Sequence, residues 1–260
     1  MRKYSLLPLL FIVLIFSSCT STKSKTDFNI DVPEINVETR ERESEVSPEE
    51  IKPEKNPVIS RGEQNLPKGT INIQELIDQT PNGGVAFIPY GEYIIDEGLR
   101  IVGKSGIILR TDAGTRILLD DTNQDVLAIS GSSDVRLENL YLRHLIPRED
   151  YACHGSVVSI GYSPNVVIIN CELNGCGAIG VSSYESDGLI IRNCYIHSNS
   201  FNAFYFNRAS NVKIHSSIIE NNGNMMQSLY SSGLEMSDNI IRNNGGYWEE
   251  QIYEPGLISD

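Results

Sequence analysis

The sequence predicts an all-β coil that stacks on itself, with three short strands in each turn of the chain. The first observation is a recurring anchor: a small residue, then Gly, Asn or Asp, then an apolar residue, any residue, and another apolar residue. It reads Ser105-Gly106-Ile107-Ile108-Leu109, Ser133-Asp134-Val135-Arg136-Leu137, Pro164-Asn165-Val166-Val167-Ile168, Asp187-Gly188-Leu189-Ile190-Ile191, Ser210-Asn211-Val212-Lys213-Ile214 and Ser232-Gly233-Leu234-Glu235-Met236, with a last start at Pro255-Gly256-Leu257-Ile258-Ser259. Its first apolar residue falls at 107, 135, 166, 189, 212, 234 and 257, at intervals of 28, 31, 23, 23, 22 and 23. The second observation is that each interval holds three strand-like pieces, such as Val166–Ile168, Cys171–Leu173 and Ile179–Ser183, whose alternate residues point one way. A further inward residue recurs six places before each anchor, at Ile101, Ile129, Ile160, Ser183 and Phe206. The third is that Asn-, Ser- and Gly-rich joints leave no room for a helix of about ten residues, which disfavours a helix-linked sheet.

The elements follow in chain order. Arg2 and Lys3 precede an apolar run from Leu6 to Phe16, too short to span a membrane comfortably and suited to a secretory signal. It ends in Phe16-Ser17-Ser18-Cys19, which resembles a bacterial lipobox, with Phe16 where Leu is usual. The resemblance implies lipidation of Cys19 and attachment to a membrane of the bacterial cell envelope. Residues 20–67 are polar, charge-rich and scattered with Pro, an acidic tether unable to bury enough apolar surface to offset its ordering entropy. The net charge of −13 argues against a nucleic-acid partner. The coil occupies 68–260. It opens on Asn72-Ile73-Gln74-Glu75, an N-cap with Glu three residues on, which starts a short helix through Ile77 that plugs the first turn.

Gly83-Gly84-Val85-Ala86-Phe87-Ile88-Pro89 then leads to Gly91-Glu92-Tyr93. With the period of 22 or 23, this resembles the right-handed parallel β-helix proteins of the pectate-lyase-like superfamily. Leucine-rich repeats share the period, but their Leu signature is missing. The resemblance implies a right-handed parallel β-helix with a short N-terminal capping helix. That fold carries lyases, hydrolases, epimerases, adhesins and inert scaffolds, so it does not by itself assign a function. The enzyme signatures of the superfamily are not present. The WxDH and RxPxxR patterns are missing, the ordered NTD, DD, GHG and RIK set is missing, and so is DPHD. Asp120-Asp121 stands alone, and Cys153-His154-Gly155 stands where GHG would.

Register assigns the other conspicuous residues. Asn139, Asn170, Asn193, Ser216 and Asp238 share one corner and form a ladder, so Cys171 and Cys194, next to it, face inward with Leu140, Ser217 and Asn239. Facing outward, Tyr141, Glu172, Tyr195, Ile218 and Ile240 form one row, and Arg143, Asn174, His197, Glu220 and Arg242 another. At the third turn Tyr162, Glu185 and Arg208 align. Aromatic, acidic and basic groups on one face suit a carbohydrate groove and equally an ordinary solvated face, with Tyr141, Arg143, Glu172, Tyr195 and Arg208 as substrate-binding candidates.

One coil breaks the rhythm. About eight extra residues lie within Arg143 to Ser156, a stretch carrying Arg148, Glu149, Asp150 and His154. Glu149, Asp150 and His154, with His197 and Glu220, are the acid/base candidates for a glycosidic bond or a uronate, and Arg148 a further binding residue. Asp120-Asp121 with Asp125 can bind Ca²⁺ or make a polar turn; no other cofactor is expected. Cys153 and Cys176 occupy equivalent places in adjacent coils, with Asn199 and Asn221 continuing the row, and either form a disulfide or pack as thiols. A zinc site there lacks paired-ligand spacing. The unfinished coil at Pro255–Ser259 suggests an oligomer joined through that end, a fold-over by Tyr247-Trp248, or an interrupted gene. Together these readings predict an envelope lipoprotein whose β-helix surface binds glycan. The alternatives are an active polysaccharide lyase or glycoside hydrolase, and a purely structural or protein-binding module.

Overall fold

The computed structural model describes residues 68–145, 154–175 and 178–245. After one short helix the chain winds through three parallel sheets in strict rotation. The first sheet has seven strands among the described residues, from Val85–Ile88 to Glu235–Ser237. The second has seven, from Glu92–Ile95 to Ile240–Arg242, and the third six, from Leu99–Val102 to Asn224–Leu229. Each strand bonds the equivalent strand of the adjacent described coils. The repeat period therefore is the register: Val167 pairs with Ile190, Ile190 with Lys213, and Lys213 with Glu235.

The corners are where the sequence pays for this path. Each needs a single residue of positive φ, and Gly, Asn and Asp adopt it at least cost. The anchor's Gly/Asn/Asp position supplies it on entry to the first sheet, at Gly83, Gly106, Asp134, Asn165, Gly188, Asn211 and Gly233. Asn139, Asn170, Asn193, Ser216 and Asp238 supply it between the first and second sheets, with φ of 52° to 60°. Asn170 Nδ2 donates to Asn139 Oδ1 at 3.3 Å, as a ladder requires.

Inside, aliphatic rows from the three sheets meet in one continuous core, and Phe204 and Phe206 stack within it. Cys171 and Cys194 belong to that core as buried free thiols. Burial pushes the Cys171 thiol well above its ordinary range, so it is inert. Polar ladders lace the core. Ser132 N–H donates to Ser163 Oγ at 3.1 Å, and Ser163 N–H to Ser186 Oγ at 3.0 Å. Asn199 Nδ2 donates to Asn222 Oδ1, and Asn222 Nδ2 to Asn244 Oδ1, each at 2.8 Å. The row through Asn199 thus continues to Asn222, which corrects the expected Asn221. The 22-residue spacing begins one step later, between Asn202 and Asn224, and Asn221 is the positive-φ corner beside the ladder.

Helix Ile73–Gln79 starts where expected, with Asn72 Oδ1 accepting from Glu75 N–H at 3.1 Å. Ile73 and Ile77 are buried against the first coil. Gln74 bonds both polar groups of the Arg100 backbone, at 2.8 and 3.0 Å, which satisfies a strand edge that would otherwise be bare. Lys104 Nζ donates to the Asp78 and Thr80 carbonyls at 2.8 Å, which caps the helix C-terminus. At the other end of the described coils, Leu234 is 42% and Ile241 44% exposed, although their counterparts one coil earlier, Val212 and Ile219, are buried.

Candidate functional site

Two outward surfaces gather chemistry. The first is the outer face of the second sheet. Its two predicted rows are in register: Tyr141, Glu172, Tyr195 and Ile218 in one, Arg143, Asn174, His197 and Glu220 in the other. The register puts His197 diagonally across from Glu172, and its Nε2 lies 3.2 Å from Glu172 Oε1. Asn174 Nδ2 donates to the same oxygen at 3.3 Å, and His197 Nδ1 lies 3.0 Å from Ser198 Oγ. On the opposite diagonal Tyr195 OH donates to Glu220 Oε1 at 2.7 Å, and Arg242 Nε donates to Glu220 Oε2. The Tyr195 and His197 rings stack with centroids 3.9 Å apart. Burial alone would raise the Glu220 carboxyl, but hydrogen bonds from Arg242 and Tyr195 and the Arg242 charge outweigh it and hold it below the usual carboxylate range. This face is not the open groove its sequence suggests: Tyr141, Arg143, Glu172, Asn174, His197 and Glu220 are all buried.

The second surface is the corner that follows the third sheet. In the first two coils this positive-φ corner is Gly103 and Gly131; in the next four it is Tyr162, Glu185, Arg208 and Tyr230, with φ of 51°, 45°, 53° and 53°. Large side chains rarely take this conformation, which costs about 1–2 kcal/mol each. Here they point outward as a ridge, Tyr162 58% and Tyr230 86% exposed. The Tyr162 and Tyr184 rings meet edge to face at 5.4 Å. Arg208 Nη1 donates to Tyr184 OH at 3.1 Å and to Glu185 Oε1 at 3.3 Å, and its guanidinium lies 5.8 Å from the Tyr230 ring centroid. Hydrogen bonding to Glu185, then to Tyr162, raises the Tyr184 phenol.

The sequence profile described as "right handed beta helix region" matches residues 105–250. The chain belongs to the right-handed β-helix family. A search of curated proteins gives no match. Among solved structures, this β-helix is similar to a candidate glycosyl hydrolase from Parabacteroides merdae, with TM-score 0.57 and 11% identity over 69% of this chain and 91% of that one. It is similar to the A-module of the mannuronan C-5 epimerase AlgE6 of Azotobacter vinelandii, with TM-score 0.54 and 18% identity over 67% of this chain and 52% of that one. It is also similar to ORF18 of Geobacillus virus E2, with TM-score 0.52 and 16% identity over 66% of this chain and 38% of that one. These likenesses show the fold.

The β-helix thus brings six of the expected site residues together on the second sheet: Tyr141, Arg143, Glu172, Tyr195, His197 and Glu220. It places Arg208 apart, on the ridge. His154 is exposed, and its backbone N–H donates to the Thr122 carbonyl at 3.0 Å. Arg148, Glu149, Asp150, Cys153, Cys176 and Cys19 lie outside the described residues, as does Pro255–Ser259. The acidic trio forms a turn. Asp121 accepts from Asn123 N–H at 2.9 Å and Gln124 Nε2 at 2.8 Å, which lowers its carboxyl, and Asp125 Oδ1 accepts from Ser156 N–H at 2.7 Å. No group of three or more His, Cys, Asp or Glu fit to hold a metal occurs among the described residues. Tyr184 and Tyr230 were not singled out in the sequence. The signal was there, because Tyr230 falls 22 residues after Arg208 in the row Tyr162, Glu185, Arg208.

Proposed function

We propose that this protein binds a glycan along the ridge formed by Tyr162, Tyr184, Glu185, Arg208 and Tyr230. One observation carries the reading: the corner changes from Gly to large aromatic and charged residues while the backbone keeps a conformation that favours Gly. Strain kept at several successive positions points to use of the side chains displayed there. Exposed rings offer flat faces to sugars, and the bonded Arg208–Tyr184–Glu185 group offers fixed donors and acceptors to hydroxyls. The structural neighbours with carbohydrate-related names agree with a glycan ligand without specifying it. The same reading makes the protein an envelope lipoprotein, with Cys19 carrying the lipid; intact mass of membrane-extracted protein checks this by the added acyl groups.

The test is a glycan array with purified protein, followed by calorimetry on any hit. Tyr230→Ala and Arg208→Ala should each weaken binding about tenfold, the equivalent of about 1.4 kcal/mol. Binding unchanged in both variants removes the ridge, and no glycan bound at all favours a structural or protein-binding module.

A second reading has its own observation, the buried Glu172–His197 and Tyr195–Glu220 pairs, which are groups suited to acid/base work on a polysaccharide. Release of reducing ends or unsaturated products from a polysaccharide panel, abolished by Glu220→Gln, Glu149→Ala or Asp150→Ala, would establish the enzyme instead.

A further inference from the structure

We infer that Arg143 is an anion-binding subsite, formed to receive a carboxylate or sulfate-ester oxyanion carried by a glycan. Arg143 points outward from the second sheet yet is only 4% exposed. Its Nε–H donates to the His144 carbonyl at 3.0 Å. That is its only hydrogen bond among the described residues, and it has no ion pair there. The carboxylates of the same face are already engaged: Glu172 with His197 and Asn174, Glu220 with Tyr195 and Arg242. A guanidinium held nearly out of water without a counter-charge among the described residues is costly. Such a group is desolvated and oriented before any ligand arrives, and its planar fork matches the two oxygens of an oxyanion.

A neighbouring corner is adapted to it. Ser198, Asn221 and Asn243 take the positive-φ position after the second sheet in later coils, whereas the coil beside Arg143 has Gly175, at φ 69°. A Cβ there would lie 2.9 Å from Arg143 Nε, 3.1 Å from Cζ and 3.1 Å from Nη2, so only Gly lets the guanidinium lie across the corner. Asn174 is the in-register neighbour of Arg143 in the next coil.

The site is separate from the ridge, so its test uses small anions. Intact protein is titrated with inorganic sulfate and, separately, with glucuronate, while the Arg143 side-chain NMR resonances are followed. The expected result is saturable movement of those resonances by at least one anion, with apparent affinity falling at least tenfold in Arg143→Gln. Binding by glucuronate alone assigns a carboxylate, and by sulfate alone a sulfate ester. Resonances that stay put with both anions overturn the inference, as does equal affinity in Arg143→Gln. If that variant does not fold, the wild-type resonances still decide. Loss of neutral-glycan binding in the ridge variants leaves these outcomes unchanged, so the two readings fail separately.

Discussion

Asn222 ties three coils together through one buried amide. Its Oδ1 accepts from the Asn199 N–H and Nδ2, and its Nδ2 is shared among Asn244 Oδ1 and the Ile196 and Glu220 carbonyls. Asn222→Ala leaves several of these groups buried without partners and should cost about 3 kcal/mol or more, read by urea denaturation. Tyr230→Gly should leave stability within about 1 kcal/mol of wild type, because relief of the positive-φ strain offsets the added freedom of the unfolded chain. The same change removes an exposed ring, so stability and glycan binding should separate. Glu220 gives a pH dependence. Its folded value lies below the ordinary 4.5, so its contribution is present above that value and is lost as pH falls through the lower folded value. The stability gap between wild type and Glu220→Gln should therefore close on acidification; a gap constant with pH would contradict the assigned cause. His144 acts in the same direction at higher pH. Burial lowers it from 6.5, so acidification through that region favours the unfolded chain. Alternation revealed which way these side chains point. It could not reveal that the outward His197 and Glu220 are buried, because that depends on what covers the sheet and not on the strand that carries them.

At the scale of elements, the helix and the corners were the most legible. Asn72 followed three residues later by Glu75 marks the helix start, and Asn72→Ala should cost about 1 kcal/mol. Ile77→Ala, a cavity beneath the first coil, should cost about 2–5 kcal/mol, with the loss visible in the melting of the first strands. Strand limits were less legible. The apolar pattern suggests Val166–Ile168 and Cys171–Leu173, whereas the strands run Val167–Ile169 and Glu172–Asn174. Alternation marks inward residues, but a strand is bounded by the backbone groups that reach the next coil, and the corner residue sets that point. The Ser132–Ser163–Ser186 ladder went unseen because a Ser at a turn has many ordinary reasons to be there; only its repeated place just after a strand of the third sheet distinguishes it.

The described coils form a stack in which each touches only its neighbours. Deleting residues 189–211 removes one 23-residue period and joins Gly188 to Val212, the equivalent of Leu189 in the next coil, and should give a folded, shorter coil with an unchanged β-type circular dichroism spectrum. Deleting 189–210 instead shifts every later residue by one place, turns inward residues outward, and should abolish folding. Hydrogen exchange should begin in Asn224–Leu229, Glu235–Ser237 and Ile240–Arg242, where the inward residues are least covered, and reach the middle coils last. The stack also has a consequence for the ridge. Each coil contributes one rung at a fixed spacing of about 4.8 Å, so adding a coil adds a contact without altering those already made. On the glycan-binding reading, recognition would scale with rung number as avidity, and a protein of this design could tune its hold on a repeating polymer by gene duplication alone.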